Sequence, residues 1–339
     1  MWWYLLIGVF IIFLILAVIY GLGSIIRNFC YDIGIFKIYK VSRPAISIGN
    51  LTIGGTGKTP MAIYLTEMAK ERGFKPGIVS RGYGRNSSGQ VVVHDGTSIL
   101  SNARESGDEP FLMAKRLQSV PVIVDADRVR GCEKIINEFD VDLLILDDAF
   151  QHRRIHRDMD IVLINASENS SAYFILPWGR LREMPWGLKR ADKIIITKGR
   201  SESLTPALKR HMKDEYFANT HFQLMKYIEG GYEQIDIPNE PLFAFCGIAH
   251  PQLFYKSLTD QGIILGGTLS FKDHEPYGEN AVDKIIQKSQ EKRNQSLITT
   301  EKDSVKLPDS IYNTYTIYIL TMKLSVEDPF IDEIFSVKG

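Results

Sequence analysis

GNLTIGGTGKTP, residues 49–60, is the most informative stretch of this chain. A loop of the pattern G-x-x-x-x-G-K-[ST] between a strand and a helix cradles phosphate groups. Gly57, Lys58 and Thr59 match the end of that pattern, and Thr52 replaces its first glycine. The flanks also fit, because PAISIG before the loop is typical of a buried strand and PMAIYL after it of a helix. The stretch therefore predicts a P-loop in an α/β domain with a parallel sheet.

The loop supplies several groups suited to a triphosphate. Gly54 and Gly55 let backbone amides turn inward, and the helix N-terminus adds the positive end of its dipole. Lys58 is predicted to reach the β- and γ-phosphates, and the Thr59 hydroxyl to bind Mg²⁺. A glycine-rich turn that only caps a helix is the alternative, and the matching flanks count against it. The predicted nucleotide-binding residues of the loop are Thr52, Ile53, Gly54, Gly55, Thr56, Gly57, Lys58 and Thr59.

A pair of acids ends a second predicted strand. VDLLILDD, residues 141–148, is an apolar run that finishes in Asp147 and Asp148. A carboxylate at the end of a strand beside a P-loop can hold Mg²⁺ or one of its waters. Acid pairs are common at strand ends, so this interpretation depends on the P-loop nearby. With Thr59, the two aspartates form the predicted metal site.

The first residues differ in character from the rest. No charged side chain occurs from Met1 to Ile26, and the run from Trp2 to Tyr20 is almost wholly apolar. About 20 such residues form a helix long enough to cross the hydrocarbon core of a bilayer. A cleaved signal peptide is disfavoured, because no Lys or Arg precedes the run. Residues 1–26 are therefore predicted as a membrane helix that either spans the bilayer or lies in one leaflet.

The distribution of charge indicates the side of the membrane. Arg27, Lys37, Lys40 and Arg43 follow the apolar run against a single acid, Asp32, so the positive-inside bias predicts a cytoplasmic location for the rest. The formal net charge is 0, which gives no support for nucleic-acid binding. The three cysteines are far apart in sequence, so neither a zinc site nor a disulfide framework is predicted.

Beyond residue 43, short β-branched runs alternate with longer amphipathic runs. This alternation predicts a parallel sheet covered by helices on both faces. Around residues 216–240 the pattern changes to period two about Gly230 and Gly231, which favours a β-hairpin. A strand–helix alternation then resumes. We predict a membrane helix (1–26), a P-loop domain (27–215), a β-hairpin linker (216–240) and a smaller second α/β domain (241–339).

Eight short motifs occur in one order along the chain. They are GNLTIGGTGKTP, SRGYGR, GDEP, LDDAFQHRRIHRD, LPWGRLRE, LKRAD, FKDHEPY and TTEKD. Together they resemble the tetraacyldisaccharide 4′-kinases, the lipid A 4′-kinases of Gram-negative bacteria, over roughly residues 20–305. The chain departs from that family at Ala149 and Phe150 after the acid pair, and at Trp178 and Arg180 before LRE. These departures bear on contacts with the acceptor and not on the kinase assignment.

The resemblance implies a kinase that uses ATP and Mg²⁺. Its implied acceptor is an acylated disaccharide 1-phosphate lipid, which receives the γ-phosphoryl group on its 4′-hydroxyl. The acyl chains of such a lipid stay in the inner leaflet. The enzyme is therefore expected at the cytoplasmic face of the inner membrane, anchored by its N-terminal helix. No protein partner is predicted.

The resemblance also implies catalytic roles. Asp108 matches the proposed base of the family, Glu109 an acid near Mg²⁺, and His274 a histidine that orients that aspartate. From the residues alone, Asp108 and Glu109 open a helix and are typical of a capped first turn. Lys58, Asp108 and His274 are the implied catalytic residues. Because His274 lies in the second predicted domain, it is expected to meet Asp108 across a cleft that closes over substrate.

Other motif residues are placed near the substrates by the resemblance. Gln151 and His152 follow the acid pair and are expected near the phosphates of the nucleotide. The guanidinium fork of arginine suits a phosphate oxygen, whereas a lone surface arginine more often forms a solvated ion pair. The implied substrate-binding residues are Arg81, Tyr83, Arg128, Arg182 and Glu183. The TEKD residues 301–303 receive no assigned role.

Two other functions are open to a P-loop protein with a membrane helix. A nucleotide-driven switch or motor hydrolyses nucleotide without phosphorylating a lipid. A guanine switch needs N-K-x-D, and the nearest match, TKGR at 197–200, lacks the acid. The second is a structural anchor with a decayed loop, against which the intact Lys58, Thr59, Asp147 and Asp148 argue. ATP consumption with and without the acylated disaccharide separates the kinase from the switch.

Overall fold

The computed structural model describes residues 2–228, 231–273, 275–294 and 296–335. The helices are α1 (Trp2–Asp32), α2 (Lys58–Glu71), α3 (Ala103–Ser106), α4 (Asp108–Arg116), α5 (Arg128–Glu138), α6 (Pro206–Lys209), α7 (Pro251–Asp260), α8 (Glu279–Glu291), α9 (Glu301–Ser304), α10 (Asp309–Tyr312) and α11 (Asp328–Phe335). Short 3₁₀ helices cover Ser170–Tyr173, Pro185–Arg190 and Ser201–Ser203.

The strands are β1 (Ala45–Asn50), β2 (Pro76–Ser80), β3 (Val91–Asp95), β4 (Pro121–Val124), β5 (Leu143–Asp147), β6 (Met159–Asn165), β7 (Lys193–Thr197), β8 (Glu215–Phe217), β9 (Asn219–Ile228), β10 (Gly231–Gln234), β11 (Leu242–Cys246), β12 (Leu265–Ser270), β13 (Ser296–Thr300) and β14 (Thr316–Ser325). They form two sheets. The elements therefore fall into two α/β units that follow one another along most of the chain.

The first sheet has eight strands in the order β3-β4-β2-β5-β1-β6-β7-β8. Every pair is parallel except β3 with β4, which is antiparallel. Strand β1, which leads into the glycine-rich loop, lies between β5 and β6. The carboxyl ends of β1 and β5 are therefore neighbours, and this edge of an open parallel sheet is where ligands bind.

The central strands β1, β2, β4, β5 and β6 are buried along their whole length. Helices α2 and α4 pack on one face of the sheet and α5 on the other. Side chains of β5 alternate between these cores, with Ile145 in the first and Leu144 in the second. This two-sided burial explains why the strands are continuous apolar runs in the sequence.

The second sheet has six strands in the order β10-β9-β14-β13-β11-β12. Strands β9 and β10 pair as the antiparallel hairpin that the period-two pattern predicts, and β9 also pairs along β14. The hairpin is thus an edge of the second sheet. Its predicted turn includes Gly230, which lies outside the described residues.

The last helix, α11, returns to the first sheet. Phe330, Ile331 and Ile334 are at most 2% exposed and belong to the same core as Met61 of α2 and Ile145 of β5. Burying a large apolar side chain contributes about 1.5–3 kcal/mol, so this contact is substantial. After β8 the chain therefore forms the second sheet, and its last helix, α11, then packs on the first sheet.

Helix α1 is the one described helix that is long and apolar enough to cross a membrane; its candidate span is Ile7–Asp32, which contains an 18-residue window with a mean hydropathy of 2.8. At 1.5 Å per residue its 31 residues extend about 46 Å. Contacts with the rest of the protein run from Phe10, whose ring meets that of Trp178 edge-on at 4.9 Å, to Asp32, which pairs with Arg153. The helix therefore extends past residue 26 and packs along the body of the protein.

The predicted fold class is confirmed: a P-loop-like α/β unit, a smaller α/β unit, a hairpin and an N-terminal apolar helix are all present. Strand β3 had no counterpart in the sequence interpretation. The division into domains at residues 26, 215 and 240 stays a prediction. The packing of α11 on the first sheet bears on it, because residues 241–339 were expected to form the second unit alone.

Candidate active site

The glycine-rich loop runs from β1 into the first turn of α2. Gly57 caps α2 with φ of 94°, and Gly54 has φ of 127°, values that residues with a side chain rarely adopt. The end of β7 supports the loop: Thr197 donates its hydroxyl to the carbonyl of Thr56, and Lys198 donates to that of Gly55. The loop amides and the start of α2 are thus held at the carboxyl edge of the first sheet.

Lys58 lies at the centre of a polar network at this edge. Its ammonium donates to Oδ1 of Asn50 at 3.2 Å and lies 3.7 Å from Asp148. The guanidinium of Arg182 contacts the same two residues, at 2.9 Å from Asp148 and 2.8 Å from Asn50. Two cations therefore converge where a triphosphate on the loop would place its outer phosphates.

Asp148 has an unusual backbone. Its φ of 50° lies in the left-handed region, which costs energy for a residue with a side chain. Burial favours a raised pKa for its carboxyl, but Lys58 and Arg182 outweigh burial and lower the pKa below its ordinary value. Asp148 is therefore an anion held between two cations.

Asp147 is buried at the end of β5. Its Oδ2 accepts a hydrogen bond from Ser80 at 2.8 Å, and its Oδ1 has no hydrogen-bond partner among the described residues. Burial, with the negative charges of Glu109 and Asp148, raises the pKa of Asp147 to about 7. A buried carboxylate oxygen without a partner is a costly arrangement that a bound cation would relieve.

Arg128 is 1% exposed at the start of α5. Its guanidinium donates to four backbone carbonyls, those of Asp125, Ala126, Asp147 and Asp148. Burial lowers the pKa of Arg128 from its ordinary value, and the acid pair partly offsets this effect. In this structure Arg128 thus joins the ends of β4 and β5.

His152 follows the acid pair in the chain, and its backbone amide donates to the carbonyl of Ala149. Burial, together with the nearby charge of Arg128, lowers the pKa of His152 to about 4. The imidazole is therefore neutral at physiological pH. Gln151 beside it donates to the carbonyl of Asn50 at 2.8 Å and accepts from Arg182 at 3.1 Å.

Glu183 is fully buried next to Arg182. Its carboxylate accepts two hydrogen bonds from Arg190, one from Gln151 and one from Asn28 of α1. The backbone around it pairs with the loop, since Arg182 donates its amide to the carbonyl of Leu51. The LRE motif and the P-loop therefore form one unit.

Asp108 begins α4 after Gly107, whose φ of 93° turns the chain into the helix. Lys306, which follows α9 in the second unit, places its ammonium 3.7 Å from Asp108 and 3.0 Å from Asp303. The two units face each other here across a cleft of about 1280 Å³. His274, expected to meet Asp108, lies outside the described residues.

Two further residues of the SRGYGR motif lie at the surface near these groups. Arg81 is exposed, and its charge is close enough to contribute to the lowered pKa of Arg128. Tyr83 is 75% exposed and lines the cleft together with Asp108. Both side chains are placed to meet a ligand that enters from solvent.

The structure brings most of the predicted site residues to one edge of the first sheet. The groups around the loop and the acid pair, and Asp108 in the lining of the cleft, occupy the same end of the parallel strands. Glu109 follows Asp108 and acts on Asp147 through its charge. Thr59 is buried in the first turn of α2, whereas Ile53, Gly54 and Gly55 are exposed on the loop.

Some participants were not predicted. Asn50 accepts from both Lys58 and Arg182, Ser80 holds Asp147, and Arg190 pairs with Glu183. Each of them lies inside a motif already quoted: GNLTIGG, SRGYGR and LKRAD. Lys306 lies just beyond TEKD, and no pattern in the sequence distinguishes it from a surface lysine.

Comparison with known proteins gives one consistent family. Residues 9–338 match a family model described as "Tetraacyldisaccharide-1-P 4'-kinase", LpxK. A tetraacyldisaccharide 4′-kinase of Chlorobaculum parvum is 39% identical over 302 residues, which cover 87% of this chain and 83% of that protein. One from Geobacter metallireducens is 35% identical over 324 residues, covering 93% and 94%.

A solved structure is similar over nearly its whole length. It is LpxK from Aquifex aeolicus, described as the "apo" form in complex with ATP. The match has a TM-score of 0.82 at 30% sequence identity and covers 96% of this chain and 98% of that one.

Proposed function

The chain belongs to the tetraacyldisaccharide 1-phosphate 4′-kinase family, and from this premise we propose how its residues divide the work of the reaction. It is an ATP-dependent kinase of lipid A biosynthesis, a phosphotransferase that acts on a tetraacylated disaccharide precursor. The γ-phosphoryl group passes to the 4′-hydroxyl, which gives the 1,4′-bisphosphorylated product. The switch and motor alternatives are not favoured. The roles of individual residues are our proposal.

We propose that the P-loop and two cations hold the triphosphate. The amides of the loop, with the N-terminus of α2, would cradle the β-phosphate, while Lys58 and Arg182 would contact the γ-phosphoryl oxygens. The observation that carries this proposal is their convergence: both side chains contact Asn50 and Asp148. Phosphoryl transfer needs charge neutralisation and placement more than covalent help, and this arrangement supplies both.

We propose Mg²⁺ as the partner of the acid pair. Mg²⁺ binds through one or two carboxylates plus substrate phosphates, so a cage of protein ligands is unnecessary. The Oδ1 of Asp147, which has no hydrogen-bond partner within the described part of the chain, fits this role, and Asp148, Thr59 and Glu109 lie at the same edge. When bound, the ion would neutralise charge on the phosphates. The raised pKa of Asp147 belongs to the protein without its cation.

We propose that the acceptor enters the cleft. Asp108 lines this cleft and would accept the proton of the 4′-hydroxyl, while the nearby ammonium of Lys306 would help to position the carboxylate. The exposed Arg81 and Tyr83 would contact the sugar or its 1-phosphate. Arg128, which the family resemblance implies to bind substrate, would act mainly through its positive charge, since its two terminal nitrogens donate to backbone carbonyls. His274 remains the predicted partner of Asp108.

We propose that α1 holds the protein at the cytoplasmic face of the inner membrane. The long apolar surface of α1 and the basic residues after it support this location. The contact of Phe10 with Trp178 would bring the exposed Trp178 and Phe174 to the headgroup region, where aromatic side chains are favoured. The disaccharide would then reach the cleft while its acyl chains stay in the leaflet.

The full-length protein in phospholipid vesicles tests this proposal. Mass spectrometry after incubation with Mg-ATP and tetraacyldisaccharide 1-phosphate should detect the product with one added phosphate. Lys58→Ala and Arg182→Met should remove nearly all of it, whereas Lys75→Ala, an exposed lysine on the opposite side of the first unit, should not. ATP hydrolysis without lipid phosphorylation would instead support the switch.

A further inference from the structure

One face of α1 contacts the LRE motif through a polar stripe. Tyr20, Ser24 and Asn28 follow each other at intervals of four residues and so lie on the same side of the helix. The hydroxyls of Tyr20 and Ser24 donate to the carbonyl of Arg182 at 3.1 and 3.5 Å. The amide of Asn28 donates to Oε2 of Glu183 at 2.8 Å. An apolar helix that only anchors the protein has no need of such a stripe.

The end of α1 is fixed on a second side. Arg153, 7% exposed, donates to the backbone carbonyl of Asn28 at 2.9 Å and pairs with Asp32 at 2.7 Å. Gly21 approaches Ile175, so the helix lies close to the loop that precedes the LRE motif. These contacts between α1 and the first unit therefore fix the position of Asn28, in addition to the hydrogen bond made by its own side chain.

Glu183 connects Asn28 to the charged residues beside the P-loop through a chain of hydrogen bonds. Its buried carboxylate is shared by Asn28, Arg190 and Gln151. The side-chain oxygen of Gln151 in turn accepts a hydrogen bond from Arg182. The guanidinium of Arg182 contacts Asp148 and Asn50, which also contact Lys58. Hydrogen bonds to a charged, buried group are stronger than hydrogen bonds between neutral groups. Removing one of them leaves a buried charge without one of its hydrogen-bond partners, which is costly.

We propose that Asn28 is a positioning residue of the kinase: it fixes Glu183 and, through Gln151, the guanidinium of Arg182 beside Lys58. Helix α1 is then part of the framework of the phosphate site as well as its tether. The proposal rests on the roles proposed above for Arg182 and Lys58. It concerns the alignment of the phosphoryl group and not the affinity for the lipid.

Two substitutions test the role of Asn28 in the full-length protein in phospholipid vesicles. Asn28→Ala removes the donor, and Asn28→Asp keeps the shape while setting a second carboxylate against Glu183. Ile26→Ala is the matched control, because Ile26 lies on the same turn and is 60% exposed. The measurements are kcat and KM for both substrates, the fraction bound to vesicles and the thermal melt.

We expect kcat to fall about tenfold in Asn28→Ala and further in Asn28→Asp, since small misplacements of a charge-stabilising group cost one to two orders of magnitude. KM for the lipid and vesicle binding should stay within about twofold of wild type, and Ile26→Ala should match wild type. In the double variant Asn28→Ala/Glu183→Gln, kcat should fall no further than in Glu183→Gln alone, because both act through one carboxylate.

Four results would overturn the proposal. An unchanged kcat with a raised lipid KM would make Asn28 a lipid contact. Equal losses in Asn28→Ala and Ile26→Ala would reflect general disturbance of the helix, as would a loss of kcat that tracks the thermal melt. Fully additive effects of Asn28→Ala and Glu183→Gln would show independent roles. Absence of lipid phosphorylation by the wild-type protein would contradict the proposed function instead, so the two failures are distinguishable.

Discussion

The ammonium of Lys306 lies 3.7 Å from Oδ2 of Asp108, and the two residues come from opposite sides of the cleft. Lys306 is 5% exposed, and Asp303 and the ring of Tyr277 surround its charge. A buried ammonium fixed in this way holds one position for the carboxylate that it meets. The packing of the second unit on the first therefore places a buried positive charge beside Asp108.

Lys306→Met is expected to lower kcat for lipid phosphorylation about tenfold, because the substitution keeps the length of the side chain and removes the charge that holds Asp108. The affinity for ATP should stay within about twofold, since Lys306 makes no described contact with the P-loop. Steady-state kinetics and binding of labelled ATP check both. Lys288→Met, an exposed lysine on α8, is the control. An ATP affinity that falls as far as kcat would contradict this role.

Asp108→Ala and Lys58→Ala are expected to separate the two substrates. Both should abolish lipid phosphorylation. Only Lys58→Ala should weaken nucleotide binding strongly, because Lys58 lies in the loop whereas Asp108 lines the cleft between the two units. Equilibrium binding of labelled ATP distinguishes them. A large loss of ATP affinity in Asp108→Ala would move this residue to the nucleotide side.

His152 should make stability depend on pH. Its pKa is about 4 in the folded protein against 6.5 in the unfolded chain, mainly because of burial. Below pH 6.5 the unfolded state takes up the proton first, so this contribution to stability is complete above pH 6.5 and falls as the pH drops towards 4. Between pH 7 and pH 5 the wild-type protein should lose at most about 2 kcal/mol more free energy of unfolding than His152→Gln.

Urea titrations of both proteins in detergent at the two pH values measure this difference. His156→Gln, at a half-exposed histidine nearby, should behave as wild type does. Equal pH dependence in wild type and His152→Gln would show that His152 is not the group that takes up the proton.

The ion pair between Arg116 of α4 and Glu301 of α9 should stabilise the contact between the units. Both guanidinium contacts are short, 2.9 and 3.0 Å, and both side chains are mostly buried. Arg116→Met leaves the carboxylate of Glu301 without the guanidinium and should lower the free energy of unfolding by about 3 kcal/mol. The double variant Arg116→Met/Glu301→Gln should regain more than half of the loss.

Chemical denaturation of the single and double variants measures this recovery. Lys256→Met, which breaks the exposed pair with Asp260, is the control and should have no measurable effect. A double variant as unstable as the sum of two single variants would rule out a direct pairing.

Much of this organisation follows from local sequence. The P-loop between β1 and α2 and the acids after β5 have signatures that lie within a few residues, and the strands between them are apolar because both faces are covered. Strand β3 was missed, since it is a short, half-buried edge strand. The hairpin of β9 and β10 was recognised from its period-two pattern.

Long-range partners could not be derived in the same way. An amphipathic segment such as α11 shows that it has an apolar face but not which sheet it covers. Asn28 and Lys306 are polar residues whose partners, Glu183 and Asp108, lie far away in sequence. Their pairing depends on how the units pack, and a single sequence does not specify this.

Because helix α11 comes last in the chain, the core of the first unit is completed only when synthesis is nearly finished. Phe330 and Ile334 fill the core beneath a sheet whose central strand begins at Ala45, so a ribosome has to translate through both units before that core can close. Until then an apolar face of the first unit stays uncovered while α1 has already emerged. We expect nascent chains to need protection from aggregation during this interval, and chaperone occupancy should fall only once α11 has left the exit tunnel.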